Sequence, residues 1–214
     1  MGRTPTTAAS GSWSTRTSER RGTAIRRAAK LGFELLLLTL AVWGAVSLAR
    51  YGFDRYYRNA YPMKYTGMID AACKEKGLDR ALVYAVVRTE SGFDPQAQSN
   101  VGAQGLMQLM PDAFDWVQMR KGGGEPPQGE ACFDPAVNIE YGTSMLRILL
   151  DEFGTVDNVL CAYHAGWGSA KQWLIDPAHA PDGEHITDIP FDDTRAYVAK
   201  VKKTMEIYRK LYDL

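Results

Sequence analysis

The stretch from Ala81 to Pro111, ALVYAVVRTESGFDPQAQSNVGAQGLMQLMP, decides how this chain is read. Asp79 just before it is a helix N-cap. Leu82, Ala85, Val86 and Thr89 then recur at helical spacing along one face. Glu90 follows Val86 by four positions, so it lies on or beside the apolar face. A lone acid there asks for a reason. Burial withdraws water from a carboxyl and raises its pKa, which makes Glu90 a candidate general acid near neutral pH. The structural alternative is a buried Glu paired with an arginine, Arg88 or Arg195. The segment from Ser91 to Pro111 carries three Gly and two Pro, the composition of a turn-rich loop.

The same helical punctuation continues towards the C-terminus. Met63 to Lys76 predicts a helix ended by Gly77. Asp112 to Gln118 continues helically, and RKGGGEPPQGEAC, Arg120 to Cys132, is a Gly/Pro-rich loop. Asp134-Pro135 opens a strong helix through Phe153, with Asp as cap, Pro at the first position and Gly154 as its stop. Asp157 opens a helix towards Tyr163, Trp167 to Trp173 form a short one, and Asp176 to Pro190 form a loop. Thr194 to Tyr212 form the last, with Tyr197, Val198, Val201, Met205 and Tyr208 on one side. No strand alternation is found, so the fold class is all-α, a single domain over 62–214.

Towards the N-terminus the composition changes. Residues 1–27 are rich in Thr, Ser, Arg and Gly and read as a disordered basic cytoplasmic tail. Leu31 to Ala49, LGFELLLLTLAVWGAVSLA, carries Glu34 as its one charge and is long enough to span a bilayer. Arg16, Arg20, Arg21, Arg26, Arg27 and Lys30 precede it, while Arg50 and Arg55 follow. The positive-inside rule then predicts a single-pass protein with a cytoplasmic N-terminus and the bulk of the chain on the far side of the membrane. The expected anchor covers 28–50, with an aromatic and basic linker over 51–61. A cleaved signal peptide, with Ser47-Leu48-Ala49 as its small-x-small site, is the alternative.

The bulk numbers exclude some classes. The 25 basic residues balance the 25 acidic ones, so nothing global points to nucleic acid. Cys73, Cys132 and Cys161 show no C-x-x-C spacing and no Cys/His cluster, so no metal and no cofactor is expected. They read as buried thiols, or as one disulfide and one spare.

Four stretches, in order, resemble the soluble lytic transglycosylase family, whose domain is lysozyme-like. They are Glu90-Ser91-Gly92-Phe93-Asp94-Pro95 with Ala97 and Ser99; Gly102 to Pro111; Ala162-Tyr163-His164-Ala165-Gly166-Trp167-Gly168; and Ile189 to Val198. The resemblance covers about Lys64 to Tyr212. It implies cleavage of peptidoglycan glycan strands without a second catalytic carboxylate. Glu90 would act as acid and then as base, with help from the substrate N-acetyl group, to leave a 1,6-anhydro-muramoyl end. Asp94, the acid nearest in sequence, reads instead as a turn and helix-start signal. The resemblance places Ser99, Gln108, Met110 and Tyr163 beside the sugars that flank Glu90. Tyr163 has a hydroxyl suited to reach the Glu90 carboxyl or the acetamido oxygen. Ala165, Gly166, Trp167 and Tyr197 join them as groove positions, Trp167 as a stacking face.

Two residues depart from the family pattern and carry less of it. His164 stands where Asn is usual, and Asp193 where Glu is common. Structural alternatives stand beside the groove readings: Met110 as core, Ser99 as a turn cap, His164 as a plain structural hydrogen bond. The other functions left open are a goose-type-lysozyme-like muramidase, which hydrolyses the same bond, and a non-catalytic glycan-binding module of an envelope or secretion assembly.

Overall fold

The structure is a computed structural model and describes residues 12–214. The chain divides into two units, one through Tyr56 and one over Tyr57–Leu214. Residues 1–11, the first part of the expected disordered tail, lie outside the described residues.

The first unit is built on helix α1, Ser12–Ala60. Residues 12–27 are therefore helical where the composition predicts disorder, and the same helix runs on through the expected linker without a break. Helix 26–60 is long and apolar enough to cross a membrane, and its apolar residues, Leu35 to Leu38 among them, are exposed. A core helix would bury them; this one leaves them for a non-aqueous neighbour.

The second unit is helical throughout, with no named strand among the described residues. Its helices are α2 (Thr66–Lys76), α3 (Arg80–Glu90), α4 (Pro111–Arg120), α5 (Pro135–Phe153), α6 (Val156–Ala165), α7 (Trp167–Ile175) and α8 (Asp192–Tyr212). Helix α3 is the centre. Ala81 to Val87 are all buried, so it is covered on every side, and its main neighbour is α8. Around this pair, α2 packs on α5, α5 on α6, and α6 on both α7 and α8.

The helix boundaries follow local chemistry. Asp79 accepts from the Ala81 N–H, and Asp134 accepts from Ala136 and Val137 with Pro135 at the first position. Gly77 and Gly154 close α2 and α5 at positive φ. At α6 the cap is Thr155, whose Oγ1 accepts from the Asn158 N–H. The helix therefore starts just before Asp157, at Val156.

The compact unit begins at Tyr57, ahead of the expected boundary at residue 62. The reason is aromatic packing. Tyr61 meets Tyr208 edge-on at 6.1 Å, Tyr208 donates to the Pro62 carbonyl at 2.9 Å, and Tyr212 donates to the Tyr61 carbonyl at 2.8 Å. Cys73, Cys132 and Cys161 are all buried free thiols, so the disulfide alternative does not hold.

Candidate active site

The segment between α3 and α4, residues 91–110, has no regular element, yet it is tightly tied. Ser91 Oγ donates to the Leu106 carbonyl at 2.8 Å and accepts from the Phe93 N–H at 3.1 Å. Gln104 forms isolated bridges with Gln98 and Leu109. Asn138, fully buried on α5, makes two bonds to this segment and one to the turn before α5: Oδ1 accepts from Met107 N at 2.7 Å, and Nδ2 donates to Gln104 O and Cys132 O at 2.9 Å each. The loop and α5 meet so closely that a Cβ on Gly105 would lie 2.4 Å from Asn138 Nδ2, and φ there is +75°. Only glycine fits. These ties hold the loop against the C-terminal end of α3, where Glu90 sits.

Glu90 is mostly buried, and Tyr197 on α8 donates to its Oε1 at 2.6 Å. Loss of solvent pushes the carboxyl up to about 7, against the opposing pull of the Tyr197 bond and the Lys200 charge. Arg88 and Arg195 do not pair with it: Arg88 Nε donates to the Ala60 carbonyl, and Arg195 bonds Asp192 and the Ile189 carbonyl. Among the described residues no second carboxylate bears on Glu90. Asp94 is exposed, and its Oδ1 accepts from Gln96 N, the turn device its sequence suggests.

Burial, and secondarily the Glu90 charge, raises both Tyr163 and Tyr197 well above the usual phenol range, so each stays a donor. They donate to different groups. Tyr163 lies near Glu90 but its hydroxyl donates to the Met107 carbonyl at 2.7 Å, while Tyr197 takes the carboxyl. The direct contact expected of Tyr163 belongs to Tyr197, because the hydroxyl at the end of α6 reaches the loop backbone first.

The other candidate residues fall into three groups. Met110, Tyr163, His164, Ala165, Gly166 and Trp167 line one cavity of about 450 Å³, together with Trp116 and other residues of α4 and α5. Met110 is 42% exposed, so it is not part of the core. Gly166 turns the chain between α6 and α7 at φ 89°. Glu90 does not line this cavity, while Tyr163 lines it and also feels the Glu90 charge.

A second group belongs to α8. The His164 ring stacks on Tyr197 with centroids 4.5 Å apart, and its Nδ1 shares a 3.0 Å hydrogen bond with Thr194 Oγ1. Burial lowers the proton affinity of His164, with Asp193 pulling the other way. Asp193 is exposed, and its Oδ1 accepts from Thr194 N.

The third group is in the loop. Ser99 Oγ accepts from Ala103 N at 2.9 Å, which is a turn-capping bond. Gln108, at φ 48°, donates through Nε2 to Ala97 O and Gly105 O. Its acceptor end, Oε1, takes no part in these two bonds.

Two positioning residues escape the sequence reading. Ser91 is the cap that welds α3 to the loop, and Asn138 is the buried hub. A polar Asn directly before Ile139 on the buried face of α5 is the signal that marks the second. Among the described residues no cluster of His, Cys, Asp and Glu is suited to a metal.

An all-helical domain with one buried, raised carboxyl at the end of its central helix is of the lysozyme-like class. Within that class the chain belongs to the transglycosylase SLT domain family, whose model matches residues 67–186. Over 153 residues, or 70% of this chain, it is 34% identical to the soluble lytic murein transglycosylase of Escherichia coli (strain K12) and covers 23% of that protein. It is 31% identical over 169 residues to the membrane-bound lytic murein transglycosylase C of Sodalis glossinidius (strain morsitans), covering 47% of it. Among solved structures, the lytic transglycosylase Slt of Pseudomonas aeruginosa, in a Glu-to-Gln mutant described as inactive, superposes with a TM-score of 0.63 at 34% identity. That match covers 72% of this chain and 25% of the other. The chain thus spans about a quarter of the soluble relatives and about half of the membrane-bound one.

Proposed function

We propose that residues 62–214 cleave the β-1,4 bond between N-acetylmuramic acid and N-acetylglucosamine in peptidoglycan without using water. The observation that carries the proposal is Glu90: a carboxyl raised to about 7 and hydrogen-bonded by Tyr197, with no second carboxylate bearing on it. At neutral pH a substantial fraction holds its proton, which the leaving glycosidic oxygen takes as the bond breaks. Hydrolysis by the common two-carboxylate routes needs a second carboxylate roughly 5–9.5 Å away, and no acid is among the groups that shift Glu90. The substrate itself then supplies the second group. Its N-acetyl oxygen supports C1 as the bond to the leaving sugar opens. Glu90, now a carboxylate, removes the proton of the 6-hydroxyl, whose oxygen closes on C1 to give the 1,6-anhydro end. The Tyr197 bond steadies the carboxylate between the two steps.

The cavity lined by Met110, Tyr163, His164, Ala165, Gly166 and Trp167 suits a sugar next to the cleaved bond, with Trp167 and Met110 as apolar faces. Gln108 Oε1 and the Ser99 hydroxyl suit an acetamido N–H and C=O on the loop side. Asp193 and Tyr197 border the site from α8. The apolar helix anchors the chain, and the cations before Leu31 favour a cytoplasmic N-terminus with the domain in the periplasm.

The test is digestion of purified sacculi by the full chain in detergent, with mass spectrometry of the products. Anhydro ends are expected from the wild type and none from Glu90→Gln. Reducing ends would make the protein a muramidase. Equal inertness of both chains, with sacculi still bound, would make it a binding module.

A further inference from the structure

A second pocket, of about 250 Å³, is walled by Tyr61, Arg88, Thr89, Lys200, Lys203 and Thr204. It brings three cations together from α3 and α8. Among the described residues no acid pairs with any of them; the ion pairs of α8 are made by Arg195, Lys202 and Arg209 instead. Lys200 and Lys203 are three positions apart on one helix face, a like-charge spacing that costs stability unless something offsets it. Arg88 is already oriented: Nε donates to the Ala60 carbonyl at 2.9 Å, and the guanidinium carbon sits 5.6 Å from the Tyr61 ring centroid. Its two terminal nitrogens are left as donors in a fixed fork. Thr89 Oγ1 is buried and has no hydrogen-bond partner, a defect in a protein interior unless a ligand completes it.

We propose that this pocket is an oxyanion site that receives a carboxylate of the peptide arm carried by the glycan; the assignment rests on the peptidoglycan reading above. Position favours the arm over an unrelated anion. Lys200 follows Tyr197 by three residues, one helical turn, and its charge is felt at Glu90. Thr89, on the pocket wall, directly precedes Glu90, so an anion held here lies within electrostatic reach of that carboxyl. The sugars of the strand carry no free carboxylate, since the lactyl group of muramic acid is closed as an amide, but the arm it bears does.

Binding is measured without turnover, with the full chain in detergent, in a Glu90→Gln background, and with soluble glycan strands that either bear peptide arms or are stripped of them with the freed lactyl carboxyl capped as a methylamide. That background also removes any effect of Lys200 on the ionisation of Glu90. The double substitution Lys200→Gln/Lys203→Gln should weaken binding of arm-bearing strands about tenfold and leave stripped strands unchanged, while Lys→Arg at both positions keeps the affinity. Equal loss on both strands, or no loss on either, overturns the proposal. So does a parent chain that binds neither strand. If inorganic phosphate binds the parent and is lost in the double variant while the arms make no difference, the pocket serves a free anion and the proposal also fails. Cleavage by the chain with Glu90 intact is scored in parallel: binding without cleavage removes the catalytic reading and leaves the pocket standing.

Discussion

Tyr197 donates a 2.6 Å hydrogen bond to Glu90 Oε1 across 107 positions of sequence. The bond joins the C-terminal end of α3 to the first turns of α8, the two helices at the centre of the domain. It gives the buried carboxyl a donor for its charged state while burial favours the neutral one. Those opposed effects set where Glu90 titrates.

Glu90→Gln keeps the shape of the side chain and removes its proton chemistry. Cleavage should fall by about 10²–10⁴-fold, with glycan binding retained. Sacculus digestion and pull-down on the same preparation check both halves, and a variant that cleaves within tenfold of wild type would rule out Glu90 as the acid.

The raised carboxyl also predicts the sign of a stability change with pH. Burial raises the Glu90 carboxyl to about 7 in the folded chain, above the ordinary 4.5 of an exposed one. Its favourable contribution is therefore complete below about pH 4.5 and is lost as pH rises through 7. Glu90→Gln should melt above wild type at pH 8, with the gap closing below pH 5. Thermal denaturation at the two pH values decides it; a gap independent of pH would mean that the carboxyl is not held in its neutral form. In activity, the same ionisation should place the alkaline limb near pH 7.

Tyr197→Phe deletes the bond that favours the carboxylate. The alkaline limb should move up, because Glu90 then holds its proton to higher pH, and kcat should drop by about tenfold as the charged form loses its donor. A pH–rate profile separates this from misfolding, which would lower the whole curve without moving the limb.

Asn138→Ala removes three hydrogen bonds of a buried side chain at once. The carbonyls of Gln104 and Cys132 and the Met107 N–H would each lose a partner, so a loss of about 2–4 kcal/mol is expected. Urea denaturation measures it. Cleavage should fall with it, since the 91–110 loop leans on this residue. A loss under about 0.5 kcal/mol would show that the loop holds itself.

His164→Asn should leave kcat/KM within about threefold. The hydrogen bond to Thr194 can be kept by the shorter amide, and only the ring stack on Tyr197 is lost. A drop beyond thirtyfold on sacculi would make the imidazole a specific support for Tyr197.

Much of the helix pattern is written locally. Asp79, Asp134-Pro135, Gly77 and Gly154 act on atoms within a few residues, so their effects are legible in the chain itself. The apolar run from Leu31 to Ala49 is legible for the same reason, although the helix that contains it extends further both ways than composition suggests. Glu90 stands out because an acid on an apolar face is visible from periodicity alone. The tail differs because weak helix formers can still continue a helix already nucleated by a strong neighbour.

The partnerships around Glu90 are another matter. Tyr163 and Tyr197 offer the same hydroxyl chemistry, and nothing within a few residues of either says which will reach the carboxyl. The choice depends on how α6 and α8 pack against α3, which puts one hydroxyl against the Met107 carbonyl and the other against Glu90. Asn138 is hidden in the same way, since its three partners lie in two different loops. So is the basic pocket, where Arg88 meets lysines more than a hundred residues away. The sequence by itself determined the helices, the candidate acid and the apolar span, because caps, periodicity and hydrophobicity act over a few neighbouring residues. Only the tertiary structure decided which groups face that acid, because this depends on helix packing between segments far apart in the chain.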